Sequence, residues 1–167
     1  APPGQRRVEH EEEAGVDDAA PLDREEVEAI TQRMFARGPD AGGTWFSPDN
    51  RVGLGSRRLA IIDLSDEGVQ PMHDVAGELV IVFNGEVYNH AALRKELEGL
   101  GSRFRSHCDT EVVLEAWLRW GPESFRRLRG MFAFAIWTES ERRLVLCRDR
   151  LGIKPLYIHE RGREVYF

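Results

Sequence analysis

Arg58, Asn84, Gly85, Glu86 and Asp109 are the residues whose types could act together on a small substrate. A guanidinium is costly to bury unless a carboxylate meets it, and its planar fork suits a bidentate carboxylate ligand. An Asn carboxamide beside a Gly whose N–H is sterically open offers two donors aimed at one spot, as an oxyanion hole needs. A fixed cation, a carboxylate and such a donor pair together suit a zwitterionic amino acid whose carbonyl is attacked. Arg58 would hold its α-carboxylate and Asp109 its α-ammonium. Each residue also has a plainer reading. Asn-Gly favours a type I′ hairpin turn, Arg58 suits the surface of an edge strand, and Asp109 suits a helix cap. The residues alone leave these alternatives open.

The elements that must position them follow from periodicity. Leu79 to Phe83 is a continuous apolar, β-branched run, which predicts a strand buried on both faces that ends at Asn84-Gly85. Val52 to Asp63 alternates and then turns fully apolar, so it reads as a strand carrying Arg58 into the core. Asp23 with Glu26 predicts a helix start, with Val27, Ile30 and Met34 on one face. Asn89 is placed to cap a short helix through Leu93 and Leu97, stopped by Gly99 and Gly101. After a brief strand around Phe104, residues 106 to 121 carry an apolar helical stripe of Val112, Leu114, Ala116, Trp117 and Trp120, with Asp109 at its N-terminal cap. MFAFAIWT and RLVLCRD flank a polar turn and read as an antiparallel hairpin, and IKPLYI with REVYF suggests a further pair. Adjacent antiparallel strands with a few amphipathic helices define an α+β layered fold.

Composition narrows the function classes. The 167 residues suit one domain, and 41% hydrophobic with 31% charged residues is ordinary for a globular chain. The net charge of −6, with no basic stripe, argues against a nucleic-acid partner. No apolar stretch approaches the length of a membrane span, and no signal-peptide core is present, so a cytoplasmic location is expected. Cys108 and Cys147 form neither a metal-ligand spacing nor a disulfide framework. The five histidines lack zinc spacing, and GxSxG, HExxH and phosphate-loop motifs are absent, so no metal is expected. Residues 1–21 carry six acidic and two basic residues with three prolines, which predicts a mobile N-terminal segment ahead of a domain at 22–167.

Seven collinear segments sharpen this reading: RGPDAGGTW (37–45), RRLAIIDLS (57–65), QPM (70–72), FNGEVYNH (83–90), DTEVVLEAW (109–117), RGMFAFAIW (129–137) and RDRLGIKPLY (148–157). In them the chain resembles the class II glutamine amidotransferase domain found at the front of glutamine-hydrolysing asparagine synthetases. The resemblance implies an N-terminal-nucleophile hydrolase fold, an αββα sandwich of two antiparallel sheets. It implies that Arg58 binds the glutamine α-carboxylate, Asp109 its α-amino group, and Asn84 with the Gly85 N–H the oxyanion. Ile62 and Glu86 match residues lining the same pocket. The domain of that family splits glutamine into glutamate and ammonia and passes the ammonia to a C-terminal ATP-pyrophosphatase domain that activates aspartate. ATP and magnesium are expected only there, with no cofactor in this domain. Self-association into a homodimer is left open.

The chain departs from that pattern at its start. The family begins Met-Cys-Gly-Ile, and the cysteine thiol, exposed as residue one, is the nucleophile with its own α-amine as base. Here the corresponding place falls in His10 to Val16, with Glu11 where the cysteine is expected. A run of glutamates does not make a buried first strand, so that strand is expected to be missing or altered. Ser56 stands where the family commonly has a histidine beside its arginine. Phe167 falls inside an apparent strand, which suggests a longer polypeptide whose domain is incomplete here. The expected function is a glutaminase-like domain with impaired glutamine hydrolysis. The alternatives are a non-catalytic glutamine-binding or scaffolding domain, as in β-lactam synthetases and lasso-peptide cyclases, or an altered start to an ordinary synthetase.

Overall fold

The computed structural model describes residues 21–58 and 68–167. The acidic segment, the expected first strand and the expected nucleophile position lie outside the described residues, as does Ile62. Within them the chain forms four layers. Helix α1 (Arg24–Arg33) lies over a hairpin of β1 (Ala41–Phe46) and β2 (Gly53–Arg58). The hairpin packs on a four-stranded antiparallel sheet ordered β3 (Met72–His73), β4 (Leu79–Val87), β5 (Gly130–Thr138) and β6 (Arg143–Arg148). Helices α2 (His90–Gly99) and α3 (Asp109–Trp120) cover the opposite face, with the short α4 (Ser124–Arg127) closing their end. A last small hairpin joins β7 (His159–Arg161) to β8 (Glu164–Tyr166). The expected α+β, αββα arrangement is what the chain adopts.

Side-chain alternation along the sheet explains the layering. Odd residues of β4 (Leu79, Ile81, Phe83, Val87) and even residues of β5 (Phe132, Phe134, Ile136) join Leu93, Leu97, Val112 and Leu114 in the larger core. The opposite face offers Val80, Val82 and Trp137, which meet Leu54 and Trp45 of the hairpin in a smaller core. Asp23 caps α1 as expected, accepting from the Glu25 and Glu26 amides at 3.0 and 3.2 Å. The buried face of α1 differs in part from the one expected: Val27 packs on β2 and Thr31 is buried, while Ile30 and Met34 are exposed. Below the helix, β2 presents Gly53 and Gly55, and a Cβ on Gly55 would fall 1.9 Å from Thr31 Oγ1. Close approach to a glycine groove favours the small Val27 and Thr31 over the larger apolar side chains.

Several expected boundaries shift for local reasons. β4 does not stop at Asn84-Gly85 but pairs with β5 without interruption to Val87↔Gly130, so the dipeptide is not a turn. The segment around Phe104 is not a strand. Arg94 lies over the Phe104 ring at 4.3 Å and donates to the Ser106 carbonyl at 2.6 Å, so α2 claims that segment. Asn89 stands at the start of α2 but caps nothing. Its carboxamide donates to the Arg127 carbonyl and accepts from the Arg129 amide, both at 2.9 Å. IKPLYI is not a strand either, because the Asp149 carboxylate collects the Leu151, Ile153 and Lys154 amides that a sheet would use. No helix among the described residues is long and apolar enough to cross a membrane.

Candidate functional site

Alternation on β2 separates two adjacent arginines. Leu54 faces the sheet, so Arg58 does too, with Ser56 between them. Arg57 faces α1, where it donates to the Gly38 carbonyl at 2.9 Å and stacks over Phe35 at 4.8 Å. Gly38 is pressed onto this strand: a Cβ there would lie 2.5 Å from the Arg57 carbonyl carbon and the Arg58 amide nitrogen. The Asp40 amide donates to the Arg58 carbonyl at 3.1 Å. The turn RGPD thus fixes the backbone from which Arg58 reaches between the layers. Gly68 lies against its guanidinium, since a Cβ would come within 2.8 Å of Arg58 Nη2.

On β4 the even residues Val80 and Val82 face the hairpin, so Asn84 and Glu86 project from the face that Arg58 approaches. Asn84 stands opposite Ala133 of β5, whose methyl takes little room on that face. The backbone of β4 supplies the other donor. Even residues direct their polar groups to β5: the Glu139 amide donates to the Glu78 carbonyl, and the Tyr88 amide donates to the Arg129 carbonyl. Odd residues face the opposite edge, where the Phe83 amide donates to Gln70 Oε1 at 2.6 Å and the Val87 amide to Asp109 Oδ2 at 2.8 Å. The Gly85 N–H falls on that edge between them. β3 reaches only Val80 and Ile81, so no strand among the described residues pairs there. Gly85 has φ of +151°, and a Cβ would stand 2.1 Å from the Met131 carbonyl oxygen, so the position admits only glycine.

Asp109 closes the site from the helical layer. It is the first residue of α3, not its cap; the capping position is Cys108, whose side chain makes no capping bond. The acid that secures the helix start is Glu111, which accepts from the Arg105 and Ser106 amides at 2.8 and 2.7 Å. That leaves Asp109 to serve β4. Burial pushes its carboxyl above the ordinary value of 3.8, against the lowering pull of the Val87 amide. The amides of Asp109 and Thr110 at the start of α3 pull the same way.

Gln70, Gly68 and Glu111 escaped the sequence reading as functional positions. Glu111 had a signal, as the third residue of the helix, where an acid reaches back to free amides. Gln70 and Gly68 had none, because their partners are 10 to 40 residues away. The two thiols are unlike nucleophiles. Burial pushes the Cys108 thiol up, and Cys147 is pushed up to about 12, chiefly by burial, with Asp149 adding to it. Among the described residues no cluster of His, Cys, Asp and Glu could hold a metal ion.

Layered antiparallel sheets enclosed by helices are the arrangement of the N-terminal-nucleophile fold to which amidotransferase domains belong. The glutamine phosphoribosylpyrophosphate amidotransferase of B. subtilis, solved with ADP and GMP, superposes on 70% of this chain and 27% of its own, with a TM-score of 0.60 and 29% identity. The chain belongs to the glutamine amidotransferase domain family, which matches residues 14–167. It is 43% identical over 150 residues to asparagine synthetase [glutamine-hydrolyzing] 1 of Bacillus subtilis, covering 89% of this chain and 23% of that one. It is 40% identical over 141 residues to asparagine synthetase B of Escherichia coli, covering 84% and 24%. It is 43% identical over 133 residues to the amidase chry2 of Gibberella zeae, covering 80% and 20%. The chain therefore spans about a quarter or less of the length of these relatives.

Proposed function

We propose that this domain binds L-glutamine as the ammonia-donor half of an asparagine-synthetase-like protein, and that this chain hydrolyses it poorly. The observation that carries the reading is the edge of β4 that no strand among the described residues pairs, where the Gly85 N–H lies between two amides already held by Gln70 and Asp109. Arg58 would take the α-carboxylate, Asp109 the α-ammonium, and Glu86 would line the pocket. The carboxamide oxygen would then sit between Asn84 and the Gly85 N–H, where negative charge develops when the carbonyl is attacked. The impairment reading rests on the thiols: Glu11 stands at the expected nucleophile position, and Cys108 and Cys147 are both held protonated. ATP and magnesium chemistry, and the aspartate acceptor, belong in this reading to a synthetase partner domain.

The test is calorimetric titration with glutamine alongside an assay of glutamate release. Binding without turnover is expected. Turnover typical of an amidotransferase would refute the impairment, and absence of binding would refute the glutamine pocket. A variant beginning at residue 11 with Glu11→Cys should gain glutamate release if the oxyanion donors are competent.

A further inference from the structure

Three contacts close a ring around the Gly85 N–H. The Phe83 amide donates to Gln70 Oε1 at 2.6 Å, Gln70 Nε2 donates to Thr110 Oγ1 at 3.3 Å, and the Val87 amide donates to Asp109 Oδ2 at 2.8 Å. Asp109 and Thr110 are consecutive residues at the start of α3, so the ring runs from β4 through Gln70 to α3 and back to β4. Gln70 and Thr110 are 8% and 4% exposed, which shields both of their bonds from competing water. Gln70 is itself held from behind, because Gly43 of β1 packs on its carbonyl closely enough that a Cβ would approach it to 3.0 Å. Two residues earlier, Gly68 packs on the Arg58 guanidinium. One short segment therefore touches all three elements that would grip a ligand.

We infer that Gln70 is a positioning residue that locks the open edge of β4 to the start of α3, setting the spacing between the Gly85 N–H and the Asp109 carboxylate. The inference rests on the glutamine reading above, and the chemistry gives it a consequence. A ligand whose ammonium meets Asp109 and whose carboxamide oxygen meets Gly85 is selected by the distance between them, so the lock sets which side-chain length fits. The carboxamide of Gln70 is suited to this task because it accepts at one end and donates at the other. Methionine fills the same space, cannot donate and accepts only weakly through its sulfur.

The experiment titrates the folded domain with L-glutamine and with L-asparagine, one methylene shorter, for the wild-type chain, Gln70→Met, Thr110→Val and the double variant. Expected are a loss of glutamine affinity of about ten-fold for Gln70→Met and about three-fold for Thr110→Val, with the double variant no worse than Gln70→Met alone. The preference for glutamine over asparagine should narrow in Gln70→Met, whereas general damage would lower both affinities alike. Unchanged glutamine affinity in Gln70→Met, or losses that add in the double variant, would overturn the inference and leave the glutamine reading standing. Should Gln70→Met not fold, Thr110→Val decides, and wild-type affinity there overturns the ring. Amide hydrogen exchange at Phe83 and Val87, the two amides held at this edge, gives a readout without ligand. Faster exchange at these two amides in the variants, at unchanged protection of Ile81, supports the lock, and unchanged exchange sinks it. Failure of the wild-type chain to bind glutamine would instead refute the pocket reading.

Discussion

The two halves of β4 share one strand and do opposite things. From Leu79 to Ile81 the strand is buried on both faces, and its two edges pair with β3 and β5. From Phe83 to Val87 the β5 edge continues, but on the other edge, among the described residues, single side-chain acceptors, Gln70 and Asp109, take the place of a neighbouring strand. A fully paired edge has no free donor for a ligand, and an unpaired one is poorly fixed. Holding alternate amides with side chains resolves this, leaving the one between them available. The first half should therefore control stability and the second half recognition. The largest effect tests the first half. Ile81→Ala removes a fully buried side chain facing Ile136, and should destabilise the domain by about 2–5 kcal/mol in denaturant unfolding. Its glutamine affinity, measured under folding conditions, should stay near that of the wild-type chain. A large affinity loss in a folded Ile81→Ala variant would erase the division.

Gly85→Ala strikes the other half and should register in both measurements. The added methyl meets the Met131 carbonyl oxygen and must occupy a backbone conformation that alanine rarely adopts. A destabilisation of about 1–3 kcal/mol is expected from the backbone conformation alone, on top of the shift of β5 that the Met131 carbonyl requires. Glutamine affinity should nevertheless fall by about ten-fold or more as the N–H is displaced. Stability loss without affinity loss would show that the Gly85 N–H is not a ligand donor.

The same division governs what could be read in advance. The apolar run Leu79 to Phe83, the helix bearing Val112 and Leu114, and the hairpin of β5 and β6 were legible because core burial writes its period into the sequence. The continuation of β4 through Asn84-Gly85 was not, because local turn propensity points the other way and the pairing with Ala133 and Phe132 that overrides it is distant in sequence. For α1 the apolar period pointed to Ile30 and Met34, whereas the glycines of β2 decided the face by steric fit. Arg58, Asn84, Gly85 and Asp109 could be proposed from their chemistry, but the bonds of Gln70 to Phe83 and Thr110 depend on contacts between residues far apart in the chain. Periodicity carries no record of such contacts.

Asp109 gives the smallest stability effect and the sharpest contrast with Ile81. Its carboxyl is buried against the Val87 amide, and its raised value means that the folded chain holds this proton more tightly than the unfolded chain does. The stabilisation from the protonated form is complete below the unfolded value near 3.8 and is lost as the pH rises through the folded value. At neutral pH the charged carboxylate is therefore a cost to the empty fold. Asp109→Asn keeps an oxygen to accept from Val87 and removes that charge, so the empty variant should melt higher by roughly 2–4 °C, the response of a domain this size to about 1 kcal/mol. The difference should shrink as the pH is lowered through the folded value, where the wild-type carboxyl takes up its proton. Glutamine binding should be lost in the same variant, since a neutral carboxamide gives the α-ammonium no charge partner. In the wild-type chain binding should weaken on acidification, at a pH above the ordinary value of 3.8. A variant that melts lower at pH 7, or still binds glutamine as tightly, would mean that Asp109 braces β4 as Ile81 does, and that the two halves of the strand are not divided in labour at this residue.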